Sequence, residues 1–346
     1  MTYKNFLRLL ISLPLIFPAF AQEEASQLRE GHPSQYVVQR GDTLWGIADR
    51  FLNEPWRWPD VWYVNPEIEN PHLIYPGDTI LLSFDGDRPR LTGIRGRPTI
   101  RLSPSVRATR LDQAIPTIPI DAIAPFLSES LVLEDGEGGG LPYVVAIAGD
   151  RILAGAGDRI FVKSIEEPES RKYTVVRPGA PYEDPDTGEI LGYKGLVIAS
   201  TQVLSPGEVA TLAVERSREE IQIGDRLIPS LEDGVIQKNY LPHAPDFEVD
   251  GLIIGVLGGV SQIGQYRVVT LNRGEDDGIE VGHVLVIMED GGEARDPYGS
   301  SSTSTVELPD ERAGVLMVFR TFERVSFGLV MRAKRPLHVG DRVQEP

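Results

Sequence analysis

The sequence predicts an α+β chain in three stretches: a small strand-helix-helix-strand module, an extended linker rich in proline and arginine, and a mostly-β C-terminal half. Three observations predict it. All four tryptophans, Trp45, Trp56, Trp58 and Trp62, fall between residues 36 and 82; large rings compensate there for the little surface that a module of about 50 residues buries. Residues 83–142 sustain no hydrophobic period and are broken by Pro89, Pro98, Pro104, Pro116, Pro119 and Pro125, the composition of an extended segment. Short Val/Ile runs separated by Gly, Asp and Pro fill 143–229 and 252–346, the pattern of an all-β region.

Residues 1–21 come first. Lys4 and Arg8 precede an apolar run from Leu9 to Phe17 and the small-residue pattern Ala19-Phe20-Ala21, the order of a secretory signal peptide. That run is roughly half the length of a spanning helix and is broken by Pro14 and Pro18. An exported, periplasmic mature chain starting near Gln22, with no transmembrane anchor, is expected. The 346 residues include no cysteine, so no lipid can be attached at the cleavage point, and hydrophobic cores must supply the stability that disulfides give many exported domains. The formal charge of −17 argues against nucleic acid as a partner.

In the first block, Tyr36 to Val38 reads as a strand, Gly41 permits the turn after it, and Asp42 or Thr43 caps a helix. Leu44, Ile47, Ala48 and Phe51 recur at helical spacing and give that helix a core face. Pro59 suits the first turn of a second helix and Asp60 favours its N-terminal dipole. Val61, Val64 and Trp62 turn inward, and Asn65-Pro66 ends the helix. Leu73 to Tyr75, the Pro76-Gly77-Asp78 turn and Thr79 to Leu82 complete the module. In the linker, Arg88, Arg90, Arg95, Arg97, Arg101, Arg107 and Arg110 form a basic stripe without an intervening acid. It reads as either a solvated segment or a contact for an anionic partner, and Asp121 to Leu127 has room for one or two helical turns.

The two β-rich blocks resemble each other. Each closes on Gly-Asp-Arg between apolar residues, at Ile223 to Leu227 and Val339 to Val343, a tight turn feeding a last strand. Each has an earlier strand of similar style, after Gly157-Asp158 and after Gly282-His283, and a later Asp-Pro loop, at Asp184-Pro185 and Asp296-Pro297. An internal duplication of a small β-barrel or sandwich follows, with Ser300 to Ser304 at an exposed hairpin tip.

Through Gly41-Asp42-Thr43-Leu44, Ile47-Ala48, Asn65-Pro66 and Ile74-Tyr75-Pro76-Gly77-Asp78, the first block resembles the LysM family. The resemblance implies recognition of N-acetylglucosamine-containing polymers, chiefly peptidoglycan. The family's groove lies between two loops, which here are Gly41, Asp42, Thr43 and Leu44, and Asn70, Pro71, Leu73, Ile74, Tyr75 and Pro76. Backbone amides and carbonyls of tight loops suit an acetylated glycan, and Leu44 or Ile74 can cover its methyl groups. The alternative is that Asp42 and Thr43 only cap a helix while Ile74 and Tyr75 only pack a core. The insertion from Leu52 to Pro59 departs from the commonest family spacing. With Asn272-Arg273-Gly274 and Val281-Gly282-His283 in the β-rich half, the architecture is similar to the type IV pilus secretin-associated LysM family, whose C-terminal part is similar to a flagellar T-type assembly domain. That resemblance implies an outer-membrane secretin as partner, and possession of a single LysM fits a homo-oligomeric ring that multiplies weak contacts.

A wall hydrolase is the rival class. The lack of cysteine excludes cysteine nucleophiles. His32, His72, His243, His283 and His338 show neither His-x-His nor His-Glu-x-x-His spacing, and no Gly-x-Ser-x-Gly elbow occurs. Only a carboxylate pair remains open to it. The favoured reading is a binding protein with no catalytic residue, no metal and no cofactor. A third reading makes the C-terminal half an oligomeric scaffold that carries most of the function.

Overall fold

The computed structural model describes residues 27–62, 70–95, 114–134, 140–149, 151–230, 240–257, 263–296, 298 and 305–346. The expected signal peptide, Val64 with the Asn65-Pro66 stop, and the 300–304 tip lie outside them. The chain divides into two compact units, Met1–Ile115 and Pro116–Pro346.

In the first unit, strand β1 (Gln35–Val37) pairs antiparallel with β2 (Thr79–Asp85), which pairs on its other side with β3 (Arg88–Ile94). Helix α1 (Leu44–Phe51) starts at Thr43, whose hydroxyl accepts the Gly46 N–H at 3.0 Å. The expected core face, Leu44, Ile47, Ala48 and Phe51, is buried, and Trp45 is buried as well. After a 3-10 turn, Pro55–Arg57, helix α2 (Trp58–Val61) carries Pro59 and Asp60 in its first turn and buries Trp58 and Val61. A second 3-10 turn, Pro71–Leu73, leads into β2. Leu28 bridges to Leu52, and the Arg29 N–H donates to the Phe51 carbonyl at 2.8 Å, so residues before β1 also pack on α1.

The extended linker expected over 83–142 is corrected at both ends. β3 lies wholly inside it, and alternate residues Pro89, Leu91 and Gly93 turn to the buried side while Arg88 and Arg90 face outward. Proline is tolerated because β3 is an edge strand; proline and arginine there masked a two-residue period. Farther on, helix α3 (Ile120–Glu129) covers the helical turns expected at Asp121 to Leu127, while strand β4 (Ser130–Leu133) was not expected.

In the second unit, strands β5 (Tyr143–Ile147), β7 (Arg159–Ile165), β8 (Lys172–Glu183), β9 (Ile190–Ser205), β10 (Gly207–Ser217) and β12 (Arg226–Pro229) form a six-stranded barrel in the ring order β5-β7-β10-β9-β8-β12. Strand β4 is appended to the free half of β9, and β6 (Leu153–Ala154) with β11 (Ile221–Gln222) adds a short ladder. The second barrel comprises β13 (Gly251–Val256), β14 (Val268–Leu271), β15 (Val284–Glu289), β18 (Glu311–Thr321), β19 (Ser326–Ala333) and β20 (Arg342–Gln344), ringed as β13-β14-β19-β18-β15-β20, with β16 (Glu293–Arg295) and β17 (Thr305–Glu307) as a hairpin arm. Numbered within each barrel along the chain, both rings read 1-2-5-4-3-6. The duplication is therefore one of topology, and barrels rather than sandwiches are formed.

The Gly-Asp turns explain why the sequence repeat was visible. Val144 exchanges backbone hydrogen bonds with Gly224 and Asp225, and Ile253 does the same with Gly340 and Asp341, all at 2.8–2.9 Å. Asp225 and Asp341 each accept the N–H three residues earlier, from Gln222 and His338. Gly224 and Gly340 have φ of +96° and +101°, which glycine alone adopts without strain. The Asp-Pro loops both join the third strand to the fourth. Gly157-Asp158, however, feeds the second strand of its barrel and Gly282-His283 the third of the other, so those two expected equivalents are not equivalent; the same turn has been used at different places.

A polar seam locks the barrels together. Asp184 is buried, accepts the Asn272 amide at 2.8 Å and the N–H groups of Asp186 and Thr187 at 2.9 and 3.2 Å. Burial pushes its carboxyl up, but these hydrogen bonds and the Arg273 charge outweigh it and hold the group below the usual carboxylate range. Arg324 adds an ion pair to Glu189 at 2.8 Å.

Candidate glycan-binding site

The two loops singled out in the sequence are brought together by β1 and β2. The Val38 N–H donates to the Asp78 carbonyl at 2.9 Å and the Gly77 N–H to the Val38 carbonyl at 2.8 Å, so the exit of the first strand lies against the end of the second loop. Beneath them, Leu44 and Ile74 line one apolar cavity with Trp58 and Trp62.

In the first loop, Gly41 is exposed at φ +89°. Asp42 accepts the Gln39 N–H at 2.7 Å and the Tyr36 hydroxyl at 3.0 Å, which makes it the tie of the turn and leaves capping to Thr43. Burial and the Asp42 carboxylate raise the Tyr36 phenol above its ordinary pKa, so it remains a donor. The Arg50 guanidinium lies 4.4 Å from the Tyr36 ring centroid, a cation-π contact.

In the second loop, Asn70 accepts the His72 N–H at 2.9 Å and starts the 3-10 turn that holds Pro71. Leu73 is exposed at 48%. Tyr75 and Pro76 are half-buried, and the Tyr75 N–H donates to the buried Asp78 carboxylate at 3.0 Å. Gly77, at φ +98°, permits this turn. Two expectations change. Leu44 is 5% exposed and Ile74 0%, so neither side chain offers methyl groups at the surface; both line the floor of the site, and Leu73 is the apolar side chain left outside. Trp58 is core, as expected of the tryptophans, and the indole N–H groups of Trp58 and Trp62 are buried without a hydrogen-bond partner.

Sequence reasoning missed Arg95 and Ile115. Arg95 donates to the Asp78 carboxylate at 2.9 Å and to the Leu73 carbonyl at 3.1 Å, and its guanidinium lies 5.3 Å from the Tyr75 ring centroid. The Ile115 N–H donates to the Ile74 carbonyl at 2.9 Å, and its side chain joins the core. Arg95 was visible as part of the basic stripe. Arg90 pairs with Asp85, so at least these two arginines are engaged within their own unit; Arg97, Arg101, Arg107 and Arg110 lie outside the described residues.

The histidines that looked scattered are partly gathered in the second barrel. His243 and His283 have ring centroids 4.7 Å apart, and with Glu280 they place one ligand atom each within 4.8 Å. The Nδ1 of His283 already accepts the Glu280 N–H at 3.1 Å, the bond that Asp makes in the other turns. A neutral ring accepting there carries its proton on Nε2. A metal at either nitrogen would need that arrangement undone, so the trio is accounted for as a turn.

The strand-helix-helix-strand module, whose polar loop atoms tie the loops themselves, is of a binding class by the family it matches. Residues 36–83 match the LysM domain family, and a LysM domain implies peptidoglycan binding. Part of the chain is similar to YqbP, an uncharacterized protein of Bacillus subtilis (strain 168), at 34% identity over 58 residues that make up 14% of this chain and 26% of YqbP. The chain thus spans about a quarter of that relative's length. Among the described residues, no helix is long and apolar enough to cross a membrane.

Proposed function

We propose that this is an exported, periplasmic, non-catalytic protein that binds peptidoglycan through its LysM unit and ties an envelope assembly, the type IV pilus secretin, to the wall through its paired barrels. The observation that carries the glycan half is the junction of the two loops at Val38, Gly77 and Asp78 over the Leu44 and Ile74 floor. Backbone groups of tight loops recognise amide and hydroxyl groups without any catalytic residue. The partner half rests on the resemblance in the sequence and on a second unit built as two like barrels joined through Asp184 and Asn272. Repetition in a ring would multiply a weak glycan contact by effective concentration.

The test is cross-linking in intact envelopes followed by capture of the complete chain. A secretin among the cross-linked proteins, retained after removal of residues 22–115, supports the division of labour. Loss of the secretin together with the wall after that deletion assigns both contacts to the first unit and refutes it. The deletion ends at Ile115 because a cut after Leu82 would split the β2–β3 pair.

A further inference from the structure

The three consecutive residues Leu73, Ile74 and Tyr75 of the second loop are each held by the chain, and two of the holding residues lie beyond the matched LysM segment 36–83. Arg95 takes the Leu73 carbonyl at 3.1 Å and Ile115 takes the Ile74 carbonyl at 2.9 Å. Asp78 takes the Tyr75 N–H at 3.0 Å and is itself bonded by Arg95 at 2.9 Å, while the Arg95 guanidinium faces the Tyr75 ring. Asp78 is almost wholly buried and Arg95 is 41% exposed. The cation thus reaches from the solvent side and compensates a carboxylate that would otherwise sit desolvated beneath the loop. One guanidinium bridges a backbone carbonyl, a carboxylate and an aromatic face, which its planar set of donors permits and a lysine ammonium does not match.

We infer that Arg95 and Ile115 are positioning residues for the glycan: they preshape the 73–75 stretch and, by occupying the carbonyls of Leu73 and Ile74, restrict which groups of this loop a sugar can reach. This rests on the glycan reading above and goes beyond it. The binding unit then extends to Ile115, well past the family boundary. Contacts from this loop fall to the exposed Leu73 side chain and the Tyr75 ring rather than to the carbonyls of Leu73 and Ile74. A loop held in its bound shape loses less freedom on binding, so the clamp raises affinity without touching ligand. Ile115 is also the last residue of the first unit, and so the clamp is covalently next to the second unit's first residue.

The experiment titrates a soluble tetramer of N-acetylglucosamine into the full chain, followed by tryptophan emission, with variants Arg95→Ala, Arg95→Lys, Ile115→Pro and the control Arg90→Ala. Ile115→Pro removes the donor N–H together with the Ile115 side chain that packs in the core, and Arg90 lies on β3, which ends just before Arg95, but pairs with Asp85. All titrations are run well below each variant's melting point, so that a loss of stability alone leaves the dissociation constant unmoved. The expected result is weakening of about tenfold for Arg95→Ala and Ile115→Pro, on the order of one residue's backbone freedom released. Arg95→Lys should fall between, and Arg90→Ala should match the unmodified chain. Unchanged affinity in both Arg95→Ala and Ile115→Pro overturns the inference even if they melt lower, as does equal weakening in Arg90→Ala. Should Ile115→Pro fail to fold, the contrast between Arg95→Ala and Arg90→Ala decides alone. If the unmodified chain shows no saturable response, it is the glycan reading itself that fails.

Discussion

Replacing Asp78 by alanine removes the carboxylate on which the second loop turns. The bonds lost include the Tyr75 N–H at 3.0 Å and the Arg95 guanidinium at 2.9 Å. Asp78 is 2% exposed, so the Tyr75 amide loses its acceptor in a place where water does not readily replace it, at a cost of about 1–3 kcal/mol. The Arg95 contact is discounted because its cation is 41% exposed, and contributes roughly 0.5–1 kcal/mol. Together these two contacts are worth about 1.5–4 kcal/mol, which for a domain of this size lowers the melting point by roughly 6–30 °C. Tryptophan emission is the assay, since all four tryptophans lie in the first unit and the barrels are silent to it. A shift below about 3 °C would refute the view that this carboxylate organises the loop.

Four further outcomes follow from named contacts. Thr43→Ala deletes the N-cap of α1 and should cost about 1 kcal/mol by the same fluorescence melt; Asp42→Ala should leave helix capping intact and loosen the Gln39 turn instead. Asp184→Ala leaves the Asn272 amide and two backbone N–H groups without their acceptor. It should destabilise the barrel pair by roughly 2–4 kcal/mol in urea unfolding followed by far-UV circular dichroism, with tryptophan emission of the first unit unchanged. The His283 ring is held below its ordinary pKa by burial and by His243, with Glu280 and Asp246 opposing. Its unfolded form therefore takes up a proton first as pH falls: the stability it contributes is intact above about pH 6.5 and declines below it. His283→Asn should flatten that part of the pH profile of barrel unfolding, and an unaltered slope would rule out His283 as its source.

The first module was readable because its signals are local. Leu44, Ile47, Ala48 and Phe51 form one helical face, and Thr43, Pro59 and Gly77 stand where caps and turns require them. The barrels were readable as repeats because Gly224-Asp225 and Gly340-Asp341 solve the same turn with the same residues. Their ring order was not, since pairing the second strand with the fifth depends on long-range contacts that no local pattern encodes. β3 was hidden by Pro89 and its arginines, whose alternation is visible only once one face is known to be buried. Ile115 was hidden for a different reason: its one backbone bond to Ile74 spans about 40 residues of sequence and leaves no periodic trace. The burial of Leu44 and Ile74 could have been expected, because a residue at core spacing on a helix or before a strand serves the core first.

Co-sedimentation of the purified full chain with purified sacculi tests the central claim most directly. Saturable binding that a soluble N-acetylglucosamine oligomer competes away, and that Asp78→Ala weakens at a temperature where the first unit remains folded, is the predicted result. A chain that stays in the supernatant with its first unit intact, or that pellets without any response to the oligomer, would contradict it.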